Sequence, residues 1–156
     1  MAGKAAAVAS GDSLVQQVVG VAAGLGLQTK EQFKCGRRIW GAVRFIDVVV
    51  TEPKTWKRLG IECKFQRTSG SAEEKIPAVV QDIGAWPIPG LVVFSGEGFS
   101  DNIRSLLVAS GRAIDLTDLE PWLRLFFGLD LPTDQRAKSL PLKSPATPAS
   151  DPEDLT

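Results

Sequence analysis

The chain has 156 residues, with 18 Lys+Arg against 18 Asp+Glu, two Cys, no Tyr and no His; its length suits one domain with a tail. Without His there is no Ser-His-Asp or Cys-His site, no His-ligated zinc and no imidazole base. Two Cys build neither a four-thiolate metal site nor a disulfide scaffold, so chemistry here rests on carboxylates, Lys, Arg and amides, with a hard metal.

The first ten residues carry one Lys and a short, weakly apolar Ala run, which does not read as a signal peptide. No stretch reaches the roughly 18 apolar residues of a membrane span. The expected setting is therefore cytoplasmic and reducing, with Cys35 and Cys63 unbridged.

Asp12 or Ser13 caps an expected helix over about 13–24, with Leu14, Val15, Val18, Val21, Ala22 and Leu25 on one broad face; Gly24 and Gly26 end it. A short strand is expected near 36–40. Arg44-Phe-Ile-Asp-Val-Val-Val50 reads as a buried strand stopped by Glu52-Pro53, and Leu59-Gly-Ile-Glu-Cys-Lys-Phe-Gln66 as its partner after a hairpin-like return over 52–57. A helix follows, starting either at Ser71, where Ser71-Ala-Glu-Glu74 has capping-box spacing, or at Pro77. Leu91-Val-Val-Phe94 is a short buried strand. A helix at 101–109, a strand at 112–115 and a very apolar helix at 118–127 complete the core, with parallel right-handed crossovers between the later strands. From Pro132 the chain holds five of its ten prolines and no aromatic residue, a composition expected to be disordered. The expected domain is thus 1–131, with 132–156 a tail, and the fold class is α/β with a mixed sheet.

The neutral total hides an uneven split. Residues 30–67 carry ten basic groups and four acidic ones, whereas 68–131 carry four basic and nine acidic. The basic half is able to offer a polyanion one face.

Three charges sit where a buried strand has no ordinary use for them: Asp47 within Phe-Ile-Asp-Val-Val-Val, and Glu62 and Lys64 within Gly-Ile-Glu-Cys-Lys-Phe. A carboxylate there is costly unless a cation meets it. Side chains alternate along a strand, so Glu62, Lys64 and Gln66 share one face at roughly 6.6–7 Å spacing, with Ile61, Cys63 and Phe65 on the other. Pairing of the two strands brings Asp47 opposite Glu62. Two carboxylates so placed suit a hard divalent ion such as Mg²⁺, with the Cys63 main-chain carbonyl as a further ligand. Lys64 beside them is suited to stabilising charge on an attacking hydroxide or a pentavalent phosphate. That apparatus fits phosphodiester hydrolysis and needs no His.

Ile46-Asp47 followed by Gly60-Ile-Glu-Cys-Lys-Phe-Gln66 resembles the PD-(D/E)XK nuclease superfamily, and the order helix, three strands, helix, strand over roughly 12–115 resembles its restriction-endonuclease-like α-β-β-β-α-β core. The resemblance implies a Mg²⁺-dependent DNA endonuclease, Mn²⁺ substituting. Asp47 and Glu62 are then the metal ligands, Lys64 the catalytic lysine, and Gln66 the Gln that some branches carry two places after it. Ile46 stands where Pro is usual. Gln16 and Gln17 stand where many members place a Glu, so a third acid is missing or comes from Asp12 or Glu31. The alternative function on the same fold is a non-catalytic nucleic-acid-binding or protein-interaction module.

Around this site, Arg37, Arg38, Arg67 and Lys75 are candidate phosphate contacts. Gln81 and Asp82 are expected to be exposed. Trp40, Trp56, Trp86, Trp122, Phe126 and Phe127 read as core or subunit-interface aromatics. One site per small domain makes a homo-oligomer the economical assembly for cutting both strands of DNA.

Overall fold

The computed structural model describes residues 10–37, 41–66 and 76–132. Its elements are α1 (Gly11–Gly24), β1 (Gln28–Arg37), β2 (Val43–Thr51), β3 (Arg58–Phe65), α2 (Ile76–Ile83), β4 (Gly90–Ser95), α3 (Asp101–Ala109), β5 (Ala113–Asp115) and α4 (Leu119–Phe127). The strands form one mixed sheet in the order β1-β2-β3-β4-β5. The pairs β1–β2 and β2–β3 are antiparallel, and β3–β4 and β4–β5 are parallel. The long connections through α2 and α3 permit the parallel pairs. The tight return at 52–57 closes with Glu52 N–H donating to Lys57 O and makes the antiparallel one. This is the expected α/β class and element order.

Two cores lie on the two faces of the sheet. Leu14, Val18 and Ala22 of α1 and Leu119, Leu123 and Phe127 of α4 pack on Val48, Val50, Leu59, Ile61, Leu91 and Val93. On the other face Ile76, Ile83, Trp86, Phe99 and Leu107 pack on Val49, Val92, Phe94 and Ala113. Strand alternation accounts for the division: β4 sends Leu91 and Val93 one way and Val92 and Phe94 the other, which is why it reads as an unbroken apolar run.

Several boundaries differ from the sequence expectation. Ser10 caps α1, its hydroxyl accepting from Ser13 N–H, so the helix begins before Asp12. The strand expected near 36–40 is instead a ten-residue strand from Gln28. α2 is described from Ile76, and the Ser71 start lies outside the described residues. The capping-box residues Ser71–Glu74, Trp40 and the segment after Pro132 lie outside the described residues. Among the described residues no helix is long and apolar enough to cross a membrane.

Candidate active site on the splayed β2–β3 ladder

The β2–β3 register runs Thr51↔Arg58, Val50↔Leu59, Val49↔Gly60, Val48↔Ile61 and then stops. One further step sets Asp47 opposite Glu62. The Glu52 N–H to Lys57 O bond makes 52/57 a hydrogen-bonded pair. Stepping by two along both strands, 46/63 is also one, and the Cys63 N–H is owed to the Ile46 carbonyl. It donates instead to Asp47 Oδ2 at 2.8 Å. The side chain of Asp47 thus takes the place of the ladder, and the strands part there.

The side-chain pattern breaks at the same point. Val48 and Val50 join the first core and Val49 the second, as alternation requires. Ile46 is owed to the first core by the same rule and lies in the second. The alternation of β2 therefore has a kink at Asp47.

β3 keeps its alternation. Ile61 is fully buried in the α1/α4 core, with Cys63 and Phe65 packed against it. Glu62 and Lys64 are on the opposite face, as expected. Glu62 is 9% exposed, and Lys64 Nζ lies 2.9 Å from its Oε1. The Cys63 thiol is pushed well above its ordinary value, first by burial and then by the carboxylates of Asp47 and Glu62, with Lys64 opposing; both acids are therefore close to one backbone position.

Gln66, just past β3, is 6% exposed. Its Nε2 donates to Gly98 O at 3.0 Å and its Oε1 has no partner. Its main-chain oxygen accepts from Gly98 N–H, while Gly96, at φ +107°, leaves room for the backbone to pass against that same oxygen. The structure thus turns the Gln66 amide to the β4–α3 loop.

Of the candidate phosphate contacts, Arg37 donates to Gly41 O at 2.7 Å and closes the β1–β2 hairpin. Arg38, Arg67 and Lys75 lie outside the described residues. Of the two acids considered as a third ligand, Asp12 is exposed in the first turn of α1, and Glu31 accepts from Gln16 Nε2 at 3.0 Å. Asp82 departs from the expected exposure: it is half-buried and pairs with Arg44 of β2 at 3.0 Å. Sequence reasoning also missed Gln32, whose Nε2 lies 3.3 Å from Asp47 Oδ1.

Asp47 and Glu62 are hard oxygen donors beside Cys63, the donor type that suits a divalent cation keeping several waters. Among the described residues no three His, Cys, Asp or Glu side chains form a group placed to hold a metal ion. A groove of about 520 Å³, lined by Trp86, Trp122, Phe126 and Arg112, opens at the other end of β3 and β4, beside Leu59 and Gly90, and does not include the acids.

A family model described as PD-(D/E)XK nuclease superfamily domain matches residues 6–126. No curated protein matches. A crystal structure described as that of a protein of unknown function, AF1548, is similar with a TM-score of 0.45 and 18% identity, over 67% of this chain. The chain spans 58% of the length of that protein.

Proposed function

Because the chain belongs to the PD-(D/E)XK nuclease superfamily, we propose that it is a metal-dependent DNA endonuclease that hydrolyses phosphodiester bonds. The observation that carries the reading is Asp47 held on the Cys63 N–H, next to Glu62, one step past the last β2–β3 pair, with Lys64 paired to Glu62. Asp47, Glu62 and the Cys63 carbonyl hold the cation, Mg²⁺ with Mn²⁺ as substitute. When bound, it supplies Lewis-acid stabilisation of phosphate charge and a more acidic water.

The remaining work belongs to the chain. The Cys63 N–H fixes Asp47 so that the carboxylate needs no reorganisation on loading. Glu62, buried, is paired with Lys64. The Lys64 ammonium would stabilise the charge that develops on the non-bridging oxygens of a phosphate at this face and orient the attacking water. Gln66 holds the β4–α3 loop beside the site. Arg37, Arg38, Arg67 and Lys75 are proposed to contact the phosphate backbone and fix the register of the DNA. The protein works in the cytoplasm as a homo-oligomer, since two sites are needed for a double-strand cut.

The test is incubation of purified protein with plasmid, single-stranded and branched DNA in Mg²⁺, Mn²⁺ or EDTA. Expected is metal-dependent nicking that Asp47→Asn and Lys64→Ala each lower by at least about 100-fold while DNA binding persists. Cleavage that survives both substitutions removes these residues from the mechanism. DNA binding without any cleavage by the unaltered protein overturns the nuclease reading in favour of a binding module.

A further inference from the structure

We infer that Gln32 is a positioning residue for the Asp47 carboxylate, held in a strained backbone conformation so that its amide reaches across from β1. The inference rests on the nuclease reading above and goes beyond it, to a residue outside the superfamily motif.

The β1–β2 register is constant through this region: Glu31 pairs with Val48 and Phe33 with Ile46. The rung between them, Gln32 with Asp47, is missing. No residue is inserted on either strand, so this is not an ordinary bulge. Gln32 and Asp47 drop out of the ladder without a change of register. Gln32 has φ at +49°, the left-handed region, where a Cβ is crowded and where Asn, Asp and Gly are the usual occupants. It lies inside a strand, where no turn calls for that conformation. Such strain persists only where the surroundings impose it.

What this conformation achieves is visible in the contacts. Gln32 Nε2 donates to Asp47 Oδ1 at 3.3 Å, and Cys63 N–H donates to Oδ2 at 2.8 Å. The two oxygens are thus held from the two neighbouring strands, one on each side of β2. Each oxygen keeps a second lone pair for a cation. Donors of this kind orient a ligating carboxylate before the metal arrives.

The experiment uses the full chain, freed of metal, with Gln32→Gly and Gln32→Met. Glycine removes both the amide and the strain; Met keeps the strain and the length but has no donor. The readouts are thermal melting without metal, exchange of the Cys63 amide by NMR without metal, and Mn²⁺ affinity by calorimetry. Gln32→Gly is expected to raise Tm by about 3 °C and to speed Cys63 exchange by about tenfold. It is also expected to weaken Mn²⁺ binding by about tenfold. Gln32→Met is expected to weaken Mn²⁺ equally with no gain in Tm. Stability and metal affinity moving in opposite directions is a result that a merely structural residue does not give. Wild-type Mn²⁺ affinity together with wild-type Cys63 exchange in Gln32→Gly overturns the inference, as does a fall in its Tm. If the unaltered protein takes up no Mn²⁺, the nuclease reading fails, and the metal-free exchange rates still decide whether Gln32 holds Asp47.

Discussion

Asp47 reaches the Cys63 N–H only because the β2–β3 register is right, and a single carboxylate at the far end of that hairpin ties the return that sets it. Glu52 Oε2 accepts from Lys54 N–H at 2.8 Å and from Thr55 N–H at 2.5 Å, tying the return between the strands. The Thr55 N–H is the largest influence holding the Glu52 carboxyl below its ordinary 4.5, with the Thr55 hydroxyl and Lys54 adding to it and partial burial opposing. A folded-state value below the unfolded one means that the ionised form favours the fold. That contribution is present above about pH 4.5 and is lost as pH falls through the lower folded value. Glu52→Gln is therefore expected to lower Tm at pH 7, with the gap to the unaltered chain closing when both are melted near pH 3. A gap of equal size at both values would assign the effect to shape rather than charge. Arg44 and Asp82 show the same economy at residue scale: the ion pair ties β2 to α2 on the side of the sheet where the acids lie.

At the scale of elements, the approach of the α2–β4 connection to the sheet depends on one missing side chain. A Cβ at Gly60 would lie 2.7 Å from Trp86 Cε3 and Cζ3, and 3.3 Å from Ile46 Cγ2. The indole is 7% exposed, and Ile46 beside it adjoins Asp47, so neither moves without disturbing the kink. Gly60→Ala is expected to cost about 1–3 kcal/mol by overpacking, seen as a Tm lower by about 3–12 °C. A melt within 1 °C of the unaltered chain would show that the Trp86 ring yields freely. β2, β3, β4 and α3 were legible because their apolar content is dense and their turns carry Pro, Gly or a cap. The acids were legible for the converse reason: Asp47 and Glu62 are charges among β-branched neighbours, and parity along β3 gives the face of Lys64. β1 was not legible in full. Gln28-Thr-Lys-Glu-Gln-Phe-Lys34 is an edge strand paired on one side, exposed along most of its length, so it has no apolar alternation to read. Gln32 is hidden in the same way, one polar residue among several. The Arg44–Asp82 pair joins residues 38 apart in sequence, a proximity that only the packed fold creates.

Across the whole molecule, the sheet separates two apolar cores, and the proposed site lies past the ends of the β2–β3 pairing. α1 and α4 with their core lie on one side; Glu62 and Lys64, by the alternation of β3, lie on the other. Leu123 of α4 is fully buried among Leu14, Val18, Leu59 and Leu91 and their neighbours. It belongs to a different element from Asp47, Glu62 and Lys64, so damage there is expected to reach the site only through global unfolding. Leu123→Ala leaves a cavity that costs about 2–5 kcal/mol, a fall in Tm of about 6–20 °C. At 10 °C, where the variant is still folded, its Mn²⁺ affinity by calorimetry is expected to stay within about twofold of the unaltered chain, because sites without shared contacts add independently. A tenfold loss of affinity at that temperature would show that the sheet transmits the packing of one face to the carboxylates on the other. The kink at Asp47 is the place where such transmission would occur, since Val48 belongs to the α4 side and Ile46 to the α2 side of the same strand.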